Sequence, residues 1–412
     1  MERIITDPNV SVLGERASGL VVRVGRDASA YKAFVPHPLP PPLTIDLPLA
    51  TAISEADRSI GELAGLGRTM ANPDLLIAPF IRREAVLSSR IEGTQATITD
   101  IYSFEAGDAT AGARRRPAPP DVQEVINYVD ATHYGLDRIS TLPVSVRLMK
   151  ELHARLLRGV RGADKSPGEF RRSQNWIGAP NCLLNEASYV PPPVAQMEEA
   201  LAELEQYIHA PAEVHPPLVR LALIHAQFEM VHPFIDGNGR IGRLLVTLLT
   251  VNWGLLPLPL LYLSAFFERE RDGYYARLLG VSERSEWREW LLFFLRGVAQ
   301  QSRDAIQRAK RLQDLQATWR DAVTVPRGST LTVRLVDSLF SSPITTVSAT
   351  QRLLGVTYPS AKATIDKLVG AGILELFDDR AYGRQWWAPS VLEIVGEPDE
   401  SRAEFKPSGL RA

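Results

Sequence analysis

One stretch of the sequence predicts two helices separated by a short, sharply bent loop, and it constrains the fold more than any other feature. Leu218–Val231 has the pattern of an amphipathic helix. Pro233 cannot continue that helix, so His232 is expected at its end, facing the loop. Gly239–Trp253 predicts the second helix, and Gly254 supplies its C-terminal stop.

The loop between the two helices combines groups that suit a phosphate-rich ligand. Gly237–Gly239 allows backbone N–H groups to converge at a helix N-terminus, where the helix dipole favours anions. Arg240 and Arg243 are three residues apart, so they share a helix face and suit a polyphosphate. Asp236 offers one carboxylate, which matches the small number that Mg²⁺ takes beside substrate phosphates. His232 supplies a base that titrates near neutrality.

Each of these features has an ordinary explanation when it is taken alone. A His-Pro pair stops helices, a Gly-Asn-Gly segment makes turns, and two arginines at this spacing usually lie on a surface. Their coincidence within one short segment favours a functional site. The sequence therefore predicts a phosphate-binding loop that carries a base, a metal ligand and two cations.

The segment His232–Arg243 (HPFIDGNGRIGR) resembles the signature of the Fic family, whose members mostly transfer AMP to protein side chains. Pro167–Gly178 (PGEFRRSQNWIG) resembles the target-docking flap of that family, and Tyr189–Pro193 (YVPPP) resembles the segment after it. Tyr274–Tyr275 resembles the region around the nucleotide base. The resemblance covers most of the chain from Asp74 onward, and it implies a protein adenylyltransferase that uses ATP and Mg²⁺.

The resemblance implies a role for each residue of the loop. His232 would deprotonate the target hydroxyl, Asp236 would hold Mg²⁺, and the side chain of Asn238 would add an amide contact to the phosphates. Arg240 and Arg243 would pair with phosphate oxygens, and Arg243 with those of the γ-phosphate. The residues expected to bind ATP are Gly237, Asn238, Gly239, Arg240, Gly242, Arg243, Tyr274 and Tyr275. The residues expected in the flap are Ser173, Gln174, Asn175, Trp176 and Ile177.

Four other ring side chains allow two interpretations each. Tyr274 and Tyr275 would either flank the adenine or pack in the core, and the sequence does not separate these alternatives. Trp176 would be either an exposed docking residue or part of a hairpin core, and we favour the core. His225 lies on the same helix face as His232, and we expect a core histidine there.

A short motif upstream of the loop resembles the inhibitory pattern of the same family. That pattern is Ser or Thr, three residues, Glu, and then Gly or Asn, and Ser88–Gly93 (SSRIEG) fits it. The motif falls at the end of a helix predicted from Asp74, with Gly93 as its stop. Ser88 and Glu92 share a face of that helix. The resemblance implies that Glu92 inhibits the enzyme, and the alternative is an exposed glutamate near a helix end.

The segment Leu331–Val395 resembles a winged helix, a small α/β domain. Helices are predicted at Thr346–Leu353 and Pro359–Val369, followed by strands at Ile373–Phe377 and Gln385–Pro389. Its basic and acidic residues balance, whereas a DNA reader is expected to be cationic. We therefore favour packing or partner binding over DNA binding. The basic residues are Arg334, Arg352, Lys362, Lys367, Arg380 and Arg384, and the acidic ones are Asp337, Asp366, Glu375, Asp378, Asp379 and Glu393.

Together these predictions describe a mostly α-helical chain with a Fic-type helical core and a β-hairpin flap. The expected order is an N-terminal arm with regulatory helices (1–110), the catalytic core (111–325), the winged helix (326–395) and a disordered tail (396–412). Pro36–Pro48 is predicted to be an extended arm. Arg114–Arg116 is predicted to lie in a solvated loop, and the alternative is that it holds phosphate.

Composition limits the cellular setting and the partners. The chain carries a net charge of −2, so no global basic field points to nucleic acid. The single cysteine, Cys182, cannot form an internal disulfide, and no signal peptide or membrane-spanning stretch is seen, so we expect a cytoplasmic protein. The expected partners are ATP, with Mg²⁺ as cofactor, and a hydroxyl-bearing target protein, which includes the chain itself. A homodimer is a further expectation, whereas DNA is not favoured.

Two alternative functions remain at this point. The first is a transcriptional regulator, in which the winged helix binds DNA and the core senses a nucleotide. The second is a Fic enzyme with another activity, either transfer of a different nucleotide such as UMP or removal of AMP.

Overall fold

The computed structural model describes residues 9–26, 30–70, 73–108, 117–179, 181–211, 215–324, 330–378 and 383–396. These residues form two compact units, each assembled from two separate parts of the chain. The first unit runs up to Glu62 and resumes at Asp130–Ser302, and the second comprises Leu63–Val129 and the described residues from Arg303 onward. The predicted loop around Arg114–Arg116, the acidic and basic pair at 379–380 and the predicted tail beyond Gly396 lie outside the described residues.

The chain is mostly helical, as the sequence predicts. In the described residues the helices are α1 Leu47–Thr69, α2 Asp74–Ile91, α3 Ile98–Asp108, α4 Pro120–Arg138, α5 Val146–Leu156, α6 Val194–His209, α7 Pro217–Val231, α8 Asn238–Asn252, α9 Ser264–Arg269, α10 Arg271–Arg284, α11 Trp287–Val323, α12 Thr330–Leu339, α13 Val347–Leu354, α14 Tyr358–Gly370 and α15 Pro389–Val395. The strands are β1 Val10–Arg16, β2 Gly19–Val24, β3 Tyr31–Pro36, β4 Ile344–Thr346, β5 Glu375–Asp378 and β6 Gln385–Trp387. Nowhere in these ranges does a helix combine the length and the hydropathy needed to cross a bilayer.

The N-terminal region contains a sheet that the sequence analysis did not predict. Strands β1, β2 and β3 pair in that order as an antiparallel sheet, and their buried side chains pack with Val190. Gly19 is required at the turn into β2, because a Cβ there would lie 2.4 Å from the carbonyl oxygen of Val35. The proline-rich segment after β3 has no regular structure until α1 begins at Leu47, as predicted.

Helix α7 lies at the centre of the first unit. The sequence predicted an amphipathic helix, but every residue of α7 except Pro217 and Glu229 is buried. Its buried polar side chains have partners: Arg220 donates to the carbonyl oxygen of Ala210 at 2.8 Å, and Gln227 donates to that of His37 at 2.9 Å. A helix that is buried on all sides is held from all sides, so α7 is a firm support for the residue that follows it.

In the second unit, the last part of the described chain forms a small α/β domain. Its order is α12, β4, α13, α14, β5, β6 and α15, and its sheet has the order β4-β6-β5. This order is compatible with the predicted winged helix. Gln385 of β6 joins the domain to α3, because its amide nitrogen donates to the carbonyl oxygen of Ser103 at 2.8 Å and its amide oxygen accepts from the Ser103 hydroxyl at 2.7 Å.

Candidate active site

His232 ends helix α7 in the left-handed conformation, with φ 48° and ψ 60°. Its backbone N–H donates to the carbonyl oxygen of Phe228 at 3.0 Å, so the residue still closes the helix. Its ring Nδ1 lies 3.3 Å from the carbonyl oxygen of Glu229. Because a carbonyl can only accept, this contact favours the tautomer with the proton on Nδ1 and the lone pair on Nε2. The arrangement therefore suits Nε2 to act as a base.

The loop after His232 is braced from within by Asn238. Its side-chain oxygen accepts from the N–H of Phe234 at 2.9 Å, and its side-chain nitrogen donates to the carbonyl oxygen of Phe234 at 2.8 Å. The amide nitrogen keeps a second N–H beyond these two bonds, so the expected contact between this amide and phosphate stays a prediction. Asn238 also offers a ligand its backbone N–H in the first turn of α8.

Helix α8 begins where the sequence predicts a phosphate cradle. Gly237 precedes it in the left-handed region, with φ 81°, and the first intrahelical bond runs from Ile241 N–H to the carbonyl oxygen of Gly237 at 3.1 Å. The N–H groups of the turn that this bond closes have no acceptor within the helix, and the helix dipole makes this end positive. Arg240 and Arg243 are both buried on α8, so two cations lie in the same helix whose N-terminus faces the loop.

Gly242 has a packing role in this structure. A Cβ at this position would lie 2.3 Å from a carboxylate oxygen of Glu229 and 3.2 Å from a ring carbon of Phe228. A side chain at this position would therefore require the Glu229 carboxylate to move and would crowd the ring of Phe228 between α7 and α8. The expectation that Gly242 contacts phosphate stays a prediction beside this packing role.

Asp236 presents a carboxylate beside the start of α8. Its Oδ1 lies 3.5 Å from the terminal nitrogen of Arg240, and its side chain is 36% exposed. Within the described ranges, no group of three or more His, Cys, Asp or Glu residues could hold a metal ion by itself. One accessible carboxylate next to a phosphate cradle fits Mg²⁺, which takes its other ligands from phosphates and water.

His153 of α5 contacts the loop after His232, and it was not among the residues predicted from the sequence. The N–H of Gly168 donates to its Nδ1 at 2.9 Å, so the proton lies on Nε2, which donates to the carbonyl oxygen of Asp236 at 2.9 Å. Its ring stacks on Phe234 with centroids 3.8 Å apart. Burial lowers the pKa of His153 to about 4, so it is neutral near pH 7. A histidine on the apolar face of a helix was the available signal, but sequence alone does not show which loop such a side chain meets.

An aromatic cluster lies behind α7. His225 is fully buried, its Nε2 is 2.9 Å from the hydroxyl of Tyr274, and burial lowers its pKa to about 3. Tyr274 is 1% exposed and stacks on Phe267 with centroids 4.4 Å apart. The structure therefore gives His225 the core position that the sequence predicts, and of the two interpretations of Tyr274 it favours packing. Tyr275 is exposed and remains able to contact a ligand.

The flap has no regular secondary structure apart from one point of strand pairing. Ile177 and Tyr189 exchange two backbone hydrogen bonds, at 2.8 and 3.0 Å. Trp176 is 43% exposed, and its indole N–H donates to the carbonyl oxygen of Cys182 at 3.2 Å. The prediction that Trp176 belongs to a hairpin core is therefore wrong, because a single bridge provides no core to bury it.

The flap is attached to the loop by hydrogen bonds that run to the backbone. The N–H of Arg171 donates to the carbonyl oxygen of Pro233 at 2.9 Å, and the side chain of Asn175 donates to that of Phe234 at 2.7 Å. Gln174 ties the two sides of the flap together, since its side chain donates to the carbonyl oxygen of Pro191 at 2.9 Å. The structure thus brings the predicted base, the phosphate cradle and the flap to one place in the first unit.

The predicted inhibitory motif lies at the C-terminal end of α2, in the second unit. Glu92 is the C-cap, and Gly93 follows in the left-handed region with φ 94°. Gly93 N–H donates to the carbonyl oxygen of Arg90 at 2.9 Å, and Thr94 N–H donates to that of Ser89 at 3.2 Å. This is a Schellman arrangement, so the predicted helix end is confirmed. Ser88 is buried and Glu92 is partly buried.

Comparison with known families assigns the chain to a class. Residues 143–250 match the Fic/DOC family model, and residues 50–137 match the model for the Fic/DOC family N-terminal region. The first of these ranges contains the whole of the loop, the cradle and the flap. These two ranges of the chain therefore carry a Fic/DOC domain and the N-terminal region that accompanies it.

Individual relatives share the family, and their similarity covers only part of their length. The protein adenylyltransferase Fic of Drosophila willistoni is 31% identical over 121 residues, which are 29% of this chain and 22% of that protein. The one of Drosophila yakuba is 27% identical over 157 residues, 38% and 28% of the two chains. The chain thus spans less than a third of the curated relatives that it matches. A crystal structure of a Fic family protein from Desulfovibrio desulfuricans G20 shares the fold, with a TM-score of 0.54 and 21% identity over 85% of this chain and 98% of that one.

Proposed function

We propose that this protein is a protein adenylyltransferase, which transfers AMP from ATP to a hydroxyl side chain of Ser, Thr or Tyr in a target protein. The observation that carries the proposal is the convergence of His232, Asp236 and the N-terminus of α8 in one loop. A base, an accessible carboxylate and an anion-binding helix end are the groups that nucleotidyl transfer needs. The names of the Drosophila relatives support the same activity.

The transfer would proceed as a single displacement. His232 Nε2 takes the proton of the target hydroxyl, and that oxygen attacks the α-phosphorus of ATP. A new oxygen–phosphorus bond forms, the bond to the bridging oxygen of the β-phosphate breaks, and pyrophosphate leaves. The first-turn N–H groups of α8 with Arg240 and Arg243 hold the phosphates and neutralise the charge that develops on them.

Asp236 would hold Mg²⁺ together with the phosphates. The ion, when bound, neutralises phosphate charge beside the same helix end. His153 would keep the backbone of Asp236 in place through its hydrogen bond of 2.9 Å. The carboxylate of Asp236 is then presented from a fixed loop rather than a flexible one.

The flap, Ser173–Ile177, would dock the target. Among its residues one, Ile177, forms a backbone bridge to the opposite side, so the rest of the flap backbone can accept a strand from a target main chain. Asn175 connects this segment to the loop that carries the base. The hydroxyl of a docked target would therefore be placed at a fixed position relative to His232. Tyr275, which is exposed, would contact the adenine.

We also propose that Glu92 inhibits this activity. Arg243 would be needed to bind the γ-phosphate, and a carboxylate that pairs with Arg243 would compete with that phosphate. ATP would still bind, but its α-phosphorus would be misaligned for attack. The support is the fit of Ser88–Gly93 to the inhibitory pattern and its position at an ordered helix end.

The winged helix would serve packing or partner binding rather than DNA binding. Lys362 pairs with Asp366, and Arg334 donates to the carbonyl oxygen of Leu353 at 3.0 Å, so two of its cations are engaged inside the domain. Gln385 joins the domain to α3. The balance of six basic and six acidic residues in this segment weighs against the regulator alternative, because a DNA reader is expected to be cationic.

Incubation with α-labelled or γ-labelled ATP, Mg²⁺ and lysate tests the proposed function. AMP transfer leaves the α-label on protein and releases the γ-label with pyrophosphate. Retention of the γ-label would indicate phosphorylation, and labelling from UTP in preference to ATP would indicate UMP transfer. Absence of label from any nucleotide, in both the wild type and the Glu92→Gly variant, would contradict the proposal.

A further inference from the structure

Arg171 is a buried cation whose side chain donates to backbone carbonyls. Its Nε donates to the carbonyl oxygen of His232 at 3.0 Å, one terminal nitrogen donates to that of Ser173 at 3.4 Å, and the other donates to that of Pro192. Burial lowers the pKa of Arg171 to about 10, so the guanidinium is still charged near pH 7. A buried cation is costly unless its donors are used, and here they are used on three carbonyls.

These three carbonyls belong to three different parts of the site. His232 is the proposed base, Ser173 is the first residue of the flap, and Pro192 lies in the segment Tyr189–Pro193 that follows the flap. The guanidinium is planar and its donors have fixed directions, so one side chain sets the mutual positions of all three. The backbone N–H of Arg171 also donates to the carbonyl oxygen of Pro233 at 2.9 Å, so the same residue binds two successive carbonyls, that of the base and the next one.

The carbonyl of His232 is the group that most needs such support. The residue has φ 48°, a conformation that side chains with a Cβ adopt only at a cost, and the direction of its carbonyl is part of that conformation. Asn175 reaches the same oxygen with a longer contact of 3.4 Å. A carbonyl held by two donors cannot rotate back into the ordinary helical direction without breaking both bonds.

We propose that Arg171 is a positioning residue. It holds His232 in its left-handed conformation and fixes the position of the docking flap relative to this base. The inference rests on the proposed function, because the base and the flap are defined by it. It assigns to Arg171 no contact with ATP or with the target. Loss of the guanidinium should therefore affect the transfer step more than nucleotide binding.

A matched pair of variants tests this inference. Arg171→Lys keeps the charge but not the planar fork. Arg220→Lys makes the same change at another buried arginine that donates to three backbone carbonyls, those of Tyr207, Ile208 and Ala210. We expect Arg171→Lys to lower kcat by about 10–100-fold with little change in the KM for ATP, since small misplacements of reacting groups are costly. We expect Arg220→Lys to lower Tm by about as much as Arg171→Lys does, and to leave kcat near the wild-type value. Equal kcat values for the two variants would overturn the inference.

Amide hydrogen exchange gives a readout that does not depend on activity. The N–H of His232 is bonded to Phe228 at 3.0 Å, and we expect Arg171→Lys to speed its exchange relative to amides in the middle of α7, while Arg220→Lys does not. Unchanged exchange at His232 in Arg171→Lys would contradict the inference even if the protein transfers AMP. A wild-type protein that transfers no nucleotide, with faster His232 exchange in Arg171→Lys, would instead contradict the proposed function and keep the positioning role.

Discussion

Helices α2 and α7 end in different ways, although a functional side chain is proposed at the end of each. At the end of α2, Glu92 keeps an ordinary conformation and Gly93 takes the left-handed position. At the end of α7, the left-handed position is taken by His232 itself. One helix therefore separates the functional residue from the residue that turns the chain, and the other combines both in a single histidine.

The difference shows which of the two ends depends on tertiary structure. Glycine adopts positive φ without a Cβ penalty, so residues 88–94 can form their turn from local hydrogen bonds alone. A histidine in the same region costs about 1–2 kcal/mol, and the surrounding structure must supply it. At His232 that support comes from Arg171 and Asn175. Strain kept in place by such contacts is typical of a site where geometry matters more than stability.

The largest effect is expected at the end of α7. His232→Ala should lower AMP transfer by about 10²–10⁴-fold, the usual contribution of a general base, while ATP still binds because the imidazole acts on the target hydroxyl. Transfer of α-label and ATP binding by equilibrium dialysis measure the two effects. Normal transfer by His232→Ala would refute the role of base and would remove the reason for the strain.

The end of α2 should respond in the opposite direction. If Glu92 biases the site by about 3 kcal/mol, Glu92→Gly should raise self-labelling about a hundredfold. Glu92→Gln should activate less, because an amide can still hydrogen-bond an arginine, and Glu92→Gly combined with Arg243→Ala should lose the gain. Wild-type labelling by Glu92→Gly would contradict the inhibitory role and leave the catalytic one standing.

The stability of α7 and that of α2 should also respond differently to acid. All seven histidines of the chain lie in the first unit, and α2 contains none. Burial lowers the pKa of His225 from 6.5 to about 3, so the folded state excludes a proton that the unfolded chain takes up. Stability is then fully present above about pH 6.5 and falls as the pH drops toward 3. Between pH 7.5 and pH 5, the shifted pKa of His225 should lower the free energy of unfolding by about 2 kcal/mol.

The variant His225→Gln isolates this contribution, because glutamine can keep a hydrogen bond to Tyr274 and does not titrate. We expect it to reduce the loss of stability between pH 7.5 and 5 for α7 and to leave that of α2 unchanged. Hydrogen exchange of amides in the two helices at several pH values measures both. An acid dependence of α7 that is the same in wild type and His225→Gln would show that this histidine is not held neutral.

The smallest effects test the strain itself. His232→Gly should raise the free energy of unfolding by up to about 1 kcal/mol while it abolishes transfer, because glycine adopts φ 48° without penalty. Gly93→Ala should lower the free energy of unfolding by about 1 kcal/mol through backbone strain alone, since a Cβ there meets no atom within 4 Å. Gly254→Ala is the matched control, with φ 70° and equally empty surroundings. Urea unfolding measures all three, and a loss of stability in His232→Gly would show that His232 is not strained.

What the sequence determined by itself was local. Pro233 ended α7, Gly93 ended α2, and Gly237 opened α8, because proline and glycine restrict or release the backbone wherever they occur. The residues of the loop could be named for the same reason, since His232, Asp236 and the arginines lie close along the chain.

Only the tertiary structure decided which distant groups serve that loop. His153 and Arg171 lie 83 and 61 residues from the groups that they hold, and no local pattern pairs such positions. Burial likewise decided that Tyr274 packs while Trp176 is exposed. Local backbone preference is written in a few neighbouring residues, whereas packing and hydrogen bonding across the fold depend on where every other element lies.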